Sequence, residues 1–183
     1  MILLNKTMIL ILIRHGETKE GKKGVLLGRL PGILSVKGKK EIKTVAEKIK
    51  KSKLDPEIIF SSDLNRAKQS AIIISKILVL KIKYDKLLRE RAGGIAEGKK
   101  EKEINWKNYG KISLPYRKHK GGESFIEVKQ RAKKFLNKIS SVKKQKNIII
   151  VSHSAFLAML LSLLKKQSIE KSIKFDFKNS IIV

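Results

Sequence analysis

The chain has two places where an apolar run leads into a histidine. Residues 8–13 are followed directly by Arg14 and His15, and residues 147–151 are followed one position later by His153. An imidazole can attack an electrophile or exchange protons near neutral pH, and a guanidinium binds anions. Because the carboxyl ends of strands in open α/β sheets carry ligand sites, we expect both histidines at one sheet edge. The pair favours a functional site over two unrelated structural histidines.

A further arginine and a glutamate are candidates for the same site. Arg66 follows a Ser-Ser-Asp segment, residues 61–63, that is expected to cap a predicted helix. Its side chain is therefore expected to point back over the strand edge, where helix starts and guanidinium groups favour anions. Two arginines and two histidines around one point predict a phosphate or carboxylate cradle. One neutral histidine could attack phosphorus there. Glu90, close to Gly93 and Gly94 in a loop, could protonate the leaving oxygen, although alone it would be interpreted as a solvated surface charge.

The elements that must position these residues alternate along the chain. The predicted strands are 8–13, 58–60, 81–84, 148–151, 173–177 and 180–183. The predicted helices are 64–77, 124–142 and 155–164, and a helix capped by Ser35 with Ile42, Val45, Ala46 and Ile49 on its apolar face. Residues 16–34 form a glycine-rich loop that is long enough to be functional. The alternation predicts an α/β protein, a three-layer α/β/α sandwich with a mostly parallel central sheet, in a single domain over residues 1–183.

The charge of the chain restricts the classes of partner. The net charge is +27, but the lysines are spread along the whole sequence and only 5% of the residues are aromatic. This pattern predicts weak, sequence-independent binding to nucleic acid and no specific recognition. Lysine and isoleucine share A/T-rich codons, so genome composition suffices to explain their abundance. Seven of the 43 basic residues are arginine, which suggests that these positions need the planar guanidinium fork.

Composition also bears on the compartment. The chain contains no cysteine, which excludes disulfides and cysteine-based zinc sites. The apolar start is too short to span a bilayer, and it lacks the features of a signal peptide. We therefore expect a soluble, cytoplasmic protein with no membrane association. The sequence leaves open the oligomeric state and whether Met1 or Met8 is the initiator.

Several motifs, in order along the chain, resemble those of one family. Together they resemble the histidine phosphatase superfamily, the phosphoglycerate mutase-like proteins, over nearly the whole sequence. The matching segments are 14–18, 60–67, 88–94 with Glu97 and Gly98, 121–124 with Arg131, and 151–153.

The resemblance implies a mechanism. His15 would be the nucleophile that forms a phosphohistidine, and Arg14, Arg66 and His153 would hold the phosphoryl oxygens. Glu90 would protonate the leaving oxygen and then activate water. Such a site requires no metal and no cofactor. Further phosphate or substrate contacts are expected from Gly16, Thr18, Gly28 and Ser154.

Three positions depart from the family pattern. Gly21 stands where an asparagine often contacts phosphate, so one contact is lost unless Lys22 replaces it. Ala96 stands where an aromatic residue is common, and Ser154 where a glycine often follows the second histidine. His119 lies in a basic loop and is expected to be exposed, with at most a minor part in substrate access.

Three functions remain open on these residues. The first is a metal-independent phosphomonoester hydrolase that acts on a small phosphorylated metabolite. The second is a cofactor-dependent phosphoglycerate mutase, and the third is a non-catalytic basic protein that binds anionic polymers. The segment from Glu90 to Glu123 is short and the sequence stops at Val183. These features predict an open site, which favours water as the phosphoryl acceptor and hence the hydrolase.

Overall fold

A computed structural model describes residues 8–105, 109–140, 147–175, 177 and 181–182. Within these residues the strands are β1 Ile9–Arg14, β2 Ile58–Ser61, β3 Ile82–Tyr84, β4 Asn147–Ser152 and β5 Ile181–Ile182. The α-helices are α1 Val36–Lys51, α2 Asn65–Leu78, α3 Phe125–Ser140, α4 Ser154–Leu164 and α5 Ile169–Ile173. None of these helices combines the length and apolar composition that crossing a membrane requires.

The strands form one sheet in the order β3-β2-β4-β1-β5. The first four are parallel, and β5 pairs antiparallel with β1. The register places Arg14 beside Ser152 and Ser61 beside Val151. The carboxyl ends of β1, β2 and β4 therefore meet at one edge, which brings together the residues that follow them.

Helices cover both faces of the sheet, as the three-layer prediction requires. Leu10 and Leu12 of β1 pack into a core with α3 and α4, whereas Ile11 and Ile13 pack into a second core with α1 and α2. This alternation follows from the two-residue period of a strand. Burying a side chain of this size stabilises the fold by about 1.5–3 kcal/mol, so the sheet edge rests on a well-packed base.

The chain near residue 173 differs from the prediction. The expected strand 173–177 is wrong, because Ile173 ends helix α5 instead. The Ser168 hydroxyl accepts a hydrogen bond from the Lys171 backbone amide and so caps this helix, a local signal that outweighs the alternating apolar residues that follow. The predicted final strand is confirmed at β5, which pairs with β1. Its flanking residues, 180 and 183, and the predicted end of α3 at 142 lie outside the described residues.

The starts of two helices test the capping predictions. The Ser35 hydroxyl accepts from the Gly38 amide and caps α1 as predicted. The Ser-Ser-Asp cap of α2 is wrong, since Leu64 occupies the N-cap and no side chain caps it. The Asp63 carboxylate instead accepts two hydrogen bonds from Arg89, at 2.7 and 2.6 Å. The Asp63 carboxylate thus makes a bidentate, charge-assisted pair with a guanidinium.

Candidate active site

His15 lies directly after β1, and the hydrogen-bond partners of its two ring nitrogens show which nitrogen carries the proton. Its Nδ1 donates to the Gly16 carbonyl at 2.8 Å, and its Nε2 accepts from Arg66 Nε at 3.1 Å. Because the guanidinium can only donate, the Nε2 atom must carry a lone pair. Burial, followed by the charges of Arg66 and Arg14, lowers the pKa of His15 to about 3. The imidazole is therefore neutral at neutral pH and nucleophilic at Nε2.

Arg66 is held by the loop that follows β1. Its side chain is 2% exposed, and its terminal nitrogens donate to the carbonyls of Leu30 and Gly28, at 2.8 and 2.7 Å. Gly28 has a φ of +50°, and a Cβ there would overlap the carboxylate of Glu97. Glycine suits this position because it adopts a positive φ readily and leaves room for the side chain of Glu97. The 16–34 loop thus fixes the guanidinium beside His15.

His153 lies behind His15 at the end of β4. The two rings meet edge to face, with centroids 5.0 Å apart. His153 Nε2 lies 2.8 Å from the Ser62 hydroxyl, which can donate to it, and Nδ1 is buried without a partner among the described residues. Burial, followed by the neighbouring ring of His15 and the charges of Arg66 and Arg14, holds the pKa of His153 well below its usual value. An uncharged histidine with one unpaired ring nitrogen can donate a hydrogen bond to an oxyanion.

Arg14 is the exposed counterpart of Arg66. Its side chain is exposed and lines the cleft, and it forms no hydrogen bond or ion pair with any residue of the described ranges. A guanidinium in this state can bind an anion without first breaking another bond. The site therefore combines one fixed cation with one available cation.

Glu90 lines the same cleft. Its Oε1 accepts from the amides of Arg91 at 2.8 Å and Ala155 at 3.2 Å, the latter in the first turn of α4. Its Oε2 has only a long contact of 3.5 Å to the Ala155 amide. Helix starts favour a carboxylate. The second oxygen remains able to exchange a proton with a group in the cleft.

A chain of ion pairs positions the loop that carries Glu90. The Glu123 carboxylate accepts from Arg29 Nη2 at 2.8 Å and from Arg131 Nε and Nη2 at 2.9 and 2.8 Å. Arg131 also donates to the carbonyls of Leu87 and Arg89, at 2.6 and 3.0 Å. Burial alone would raise the pKa of Glu123, but the bonds from Arg131 and a backbone amide outweigh it, and the carboxyl stays ionised. We call this the Arg29–Glu123–Arg131 chain.

The cleft between these groups has a volume of about 300 Å³. This volume matches a small metabolite, and the lining combines charged residues with apolar ones. The polar or charged lining includes Arg14, His15, Thr18, Arg66, Glu90, Arg91 and Ser154, and the apolar side includes Val25, Leu26, Leu27, Phe125, Ala158 and Ile173. His153 is behind this surface, against the ring of His15.

Of the four further residues predicted to contact phosphate or substrate, three line the cleft and Gly16 does not. Thr18 and Gly28 line the cleft with Ser154, which begins α4. The Gly16 amide donates to Ser70 at 3.3 Å, and a Cβ on Gly16 would overlap the Gly38 carbonyl. Gly16 therefore packs the loop against α1, and its amide is engaged within the protein.

The structure also locates Gly21, which departs from the family pattern, and His119, which was expected to be exposed. Gly21 lines the cleft, and its amide donates to the Thr18 hydroxyl at 2.9 Å. His119 is partly buried, contrary to the expected exposure, because its ring stacks on Tyr109 with centroids 4.7 Å apart. Burial and the charges of Arg91 and Lys99 lower the pKa of His119.

Sequence reasoning missed the groups that join the two sides of the cleft. It inferred only that the arginines as a group need the guanidinium fork, and it did not connect Arg29 and Arg91 with Glu97 and Glu123. Glu97 accepts from the amides of Arg29 and Gly93, at 2.9 and 2.7 Å. The rarity of arginine in this lysine-rich chain is the one signal that could have identified Arg29 and Arg91. Within the described ranges no cluster of three or more His, Asp or Glu side chains is arranged for a metal ion.

Comparisons with known proteins agree with this geometry. The model of the histidine phosphatase superfamily (branch 1) matches residues 10–183. A proposed phosphoserine phosphatase of Hydrogenobacter thermophilus is 33% identical over an alignment of 181 positions, which covers 93% of this chain and 85% of the relative. A proposed phosphoglycerate mutase of Proteus mirabilis is 30% identical and covers 82% of this chain and 72% of its own length. The fold is similar to that of a mycobacterial glucosyl-3-phosphoglycerate phosphatase, with a TM-score of 0.83, 24% identity, and coverage of 92% and 87%.

Proposed function

Because the chain belongs to the histidine phosphatase superfamily, we propose that it is a phosphomonoester hydrolase acting on a small phosphorylated metabolite through a phosphohistidine at His15. The observation that carries the proposal is the hydrogen-bond pattern of His15. Its Nδ1 donates to Gly16, and its Nε2 is the free base. A nucleophile at the charged end of a cleft suits phosphoryl transfer.

The first step transfers the phosphoryl group to the protein. The Nε2 lone pair attacks phosphorus, the N–P bond forms, and the bond to the leaving oxygen breaks. Glu90, in its protonated form, gives its proton to that oxygen, so a neutral alcohol departs. Arg14 and the unpaired Nδ1 of His153 would meet the phosphoryl oxygens, and Arg66 would exchange its bond to Nε2 for one to phosphate. Fixed donors of this kind stabilise the charge of the transition state.

The second step restores the enzyme. Glu90, now ionised, takes a proton from water while the water oxygen attacks phosphorus and the N–P bond breaks. Phosphate leaves, and His15 regains its lone pair. Residues 14, 66 and 153 supply the charge and hydrogen bonds that a metal ion supplies in other phosphatases, so we propose a metal-independent reaction.

A chelation assay with a generic aryl phosphate tests this function. We expect turnover in the presence of EDTA, and inhibition by vanadate because its geometry mimics pentavalent phosphorus. Loss of turnover on chelation with recovery on magnesium would contradict the proposal. Absence of any phosphomonoester hydrolysis would instead favour the non-catalytic alternative.

Phosphoglycerate mutation is the second candidate, because a relative at 30% identity carries that proposed assignment. A mutase must protect its phosphohistidine from water until the acceptor binds. Incubation with 3-phosphoglycerate and a trace of 2,3-bisphosphoglycerate separates the two reactions. We expect release of phosphate, whereas conversion to 2-phosphoglycerate that outpaces phosphate release from every ester would establish the mutase.

The net charge of +27 supports one further proposed interaction. Diffuse lysines should bind nucleic acid at low salt without sequence preference, because affinity then comes from counterion release alone. We expect binding in a filter or gel-shift assay to vanish near physiological salt. Tight binding to one sequence in moderate salt would contradict this.

A further inference from the structure

Arg91 follows the proposed acid Glu90 and lines the same cleft. Its Nη1 donates to the Tyr109 hydroxyl at 3.0 Å and to the Arg117 carbonyl at 3.2 Å. Its guanidinium lies 4.4 Å from the centroid of the Phe125 ring. These contacts hold the group in place, and cation–π stacking adds to them.

The opposite edge of this guanidinium has no protein partner. Arg91 Nε and Nη2 donate to none of the residues that the structure describes. They are also not among the buried polar atoms that lack a partner. Both nitrogens are therefore accessible.

The same edge binds carboxylates at two other arginines nearby. Arg89 uses Nε and Nη2 to hold both oxygens of Asp63, at 2.7 and 2.6 Å. Arg131 uses the same two nitrogens to hold Glu123, at 2.9 and 2.8 Å. Parallel N–H donors match the spacing of carboxylate oxygens, which is why these pairs are bidentate. Arg91 offers this edge in a region that lines the cleft.

We propose that the Nε–Nη2 edge of Arg91 binds a carboxylate on the leaving group, which makes phosphomonoesters of hydroxy acids the preferred substrates. The inference rests on the proposed hydrolysis, because Glu90 protonates the leaving oxygen and the next residue then meets the substituent of that oxygen. A cleft of about 300 Å³ suits a leaving group of a few carbons. The apolar side chains of Leu26 and Leu27 would pack against its carbon atoms.

Two substrates that differ only in the carboxylate test the inference. O-phosphoserine and O-phosphoethanolamine share the phosphate, the ester and the amine. We expect kcat/KM to favour O-phosphoserine by about 10- to 100-fold, the range for a hydrogen bond to a charged group. The substitution Arg91→Lys keeps the charge but removes the fork, and it should abolish most of this preference. A ratio near one in the unmodified protein would overturn the inference without any variant.

Arg117→Lys is the matched control. Arg117 lies in the same region, and its side chain donates to the backbone carbonyls of Ile112 and Gly110 outside the cleft. This variant should keep both the substrate ratio and the turnover of an aryl phosphate. If it lowers the ratio as much as Arg91→Lys does, a general disturbance of this region explains the loss of preference and the inference is wrong. If the unmodified protein hydrolyses neither of the two esters nor an aryl phosphate, the proposed function itself fails.

Discussion

The floor of the cleft and its outer wall are held in place by different means. The floor consists of His15, Arg66 and His153. The two histidines lie just after the ends of β1 and β4, and Arg66 lies in the first turn of α2. The outer wall consists of residues 88–97 with the start of α3, and ion pairs between distant parts of the chain hold it. The floor is thus rigid because the sheet is packed, whereas the position of the wall depends on a few charged contacts. The two regions should respond differently to substitution.

The largest effect is expected at the floor. His15→Ala should reduce turnover of an aryl phosphate by at least about 1000-fold, as removal of a covalent nucleophile does. The free energy of unfolding should change little, because a side chain at a cleft surface contributes little packing. His119→Ala is the control, since that histidine stacks on Tyr109 outside the cleft. Near-normal turnover by His15→Ala would contradict the covalent mechanism.

A smaller effect is expected at the outer wall. Glu123→Gln should lower kcat about tenfold, because weaker bonds to Arg29 and Arg131 loosen the loop that carries Glu90, and tenfold corresponds to about 1.4 kcal/mol. Glu127→Gln is the matched control. Its carboxylate pairs with Lys118 and caps α3 outside the cleft, so it should lower stability and leave kcat unchanged. Equal losses in kcat for both variants would show that the Arg29–Glu123–Arg131 chain has no specific part in positioning.

This contrast also explains what sequence could predict. The floor was predictable because a buried strand followed by a histidine fixes the position of that histidine in any parallel sheet. The wall was not, because Arg29 and Glu123 are 94 residues apart and no local pattern records their pairing. At residue 173 the reason is local: the alternating apolar residues suggested a strand, but the helix that begins at the Ser168 cap extends to Ile173. The sheet and its covering helices could be predicted from the periodicity of apolar residues. The role of Asp63 could not, because its partner Arg89 lies 26 residues further along the chain.

A separate effect is expected on stability as a function of pH. His15, with a pKa of about 3, and His153 are both neutral in the folded protein at neutral pH. The unfolded chain binds protons near pH 6.5 and the folded chain does not, so stability should fall as the pH drops below 6.5. The slope is at most about 1.4 kcal/mol per pH unit for each histidine.

Thermal melts between pH 7 and 5 check this slope. His15→Asn should reduce the loss of Tm on acidification relative to the unmodified protein, since one of the two neutral histidines is gone. Glu127 and Asp63 have pKa values held below the ordinary range, for Glu127 about 2, so their effect begins at lower pH. An identical Tm profile for the variant would show that His15 is protonated to the same extent in both states.

The central claim is that His15 Nε2 carries the phosphoryl group during turnover, and trapping that intermediate tests it most directly. The enzyme is mixed with excess aryl phosphate, quenched in alkali to preserve phosphohistidine, and its peptides are analysed by mass spectrometry. We predict one added phosphoryl group on the peptide that contains His15, and none in His15→Ala treated in the same way. Phosphate on the peptide that contains His153, or rapid turnover with no modified peptide at any quench time, would contradict the account.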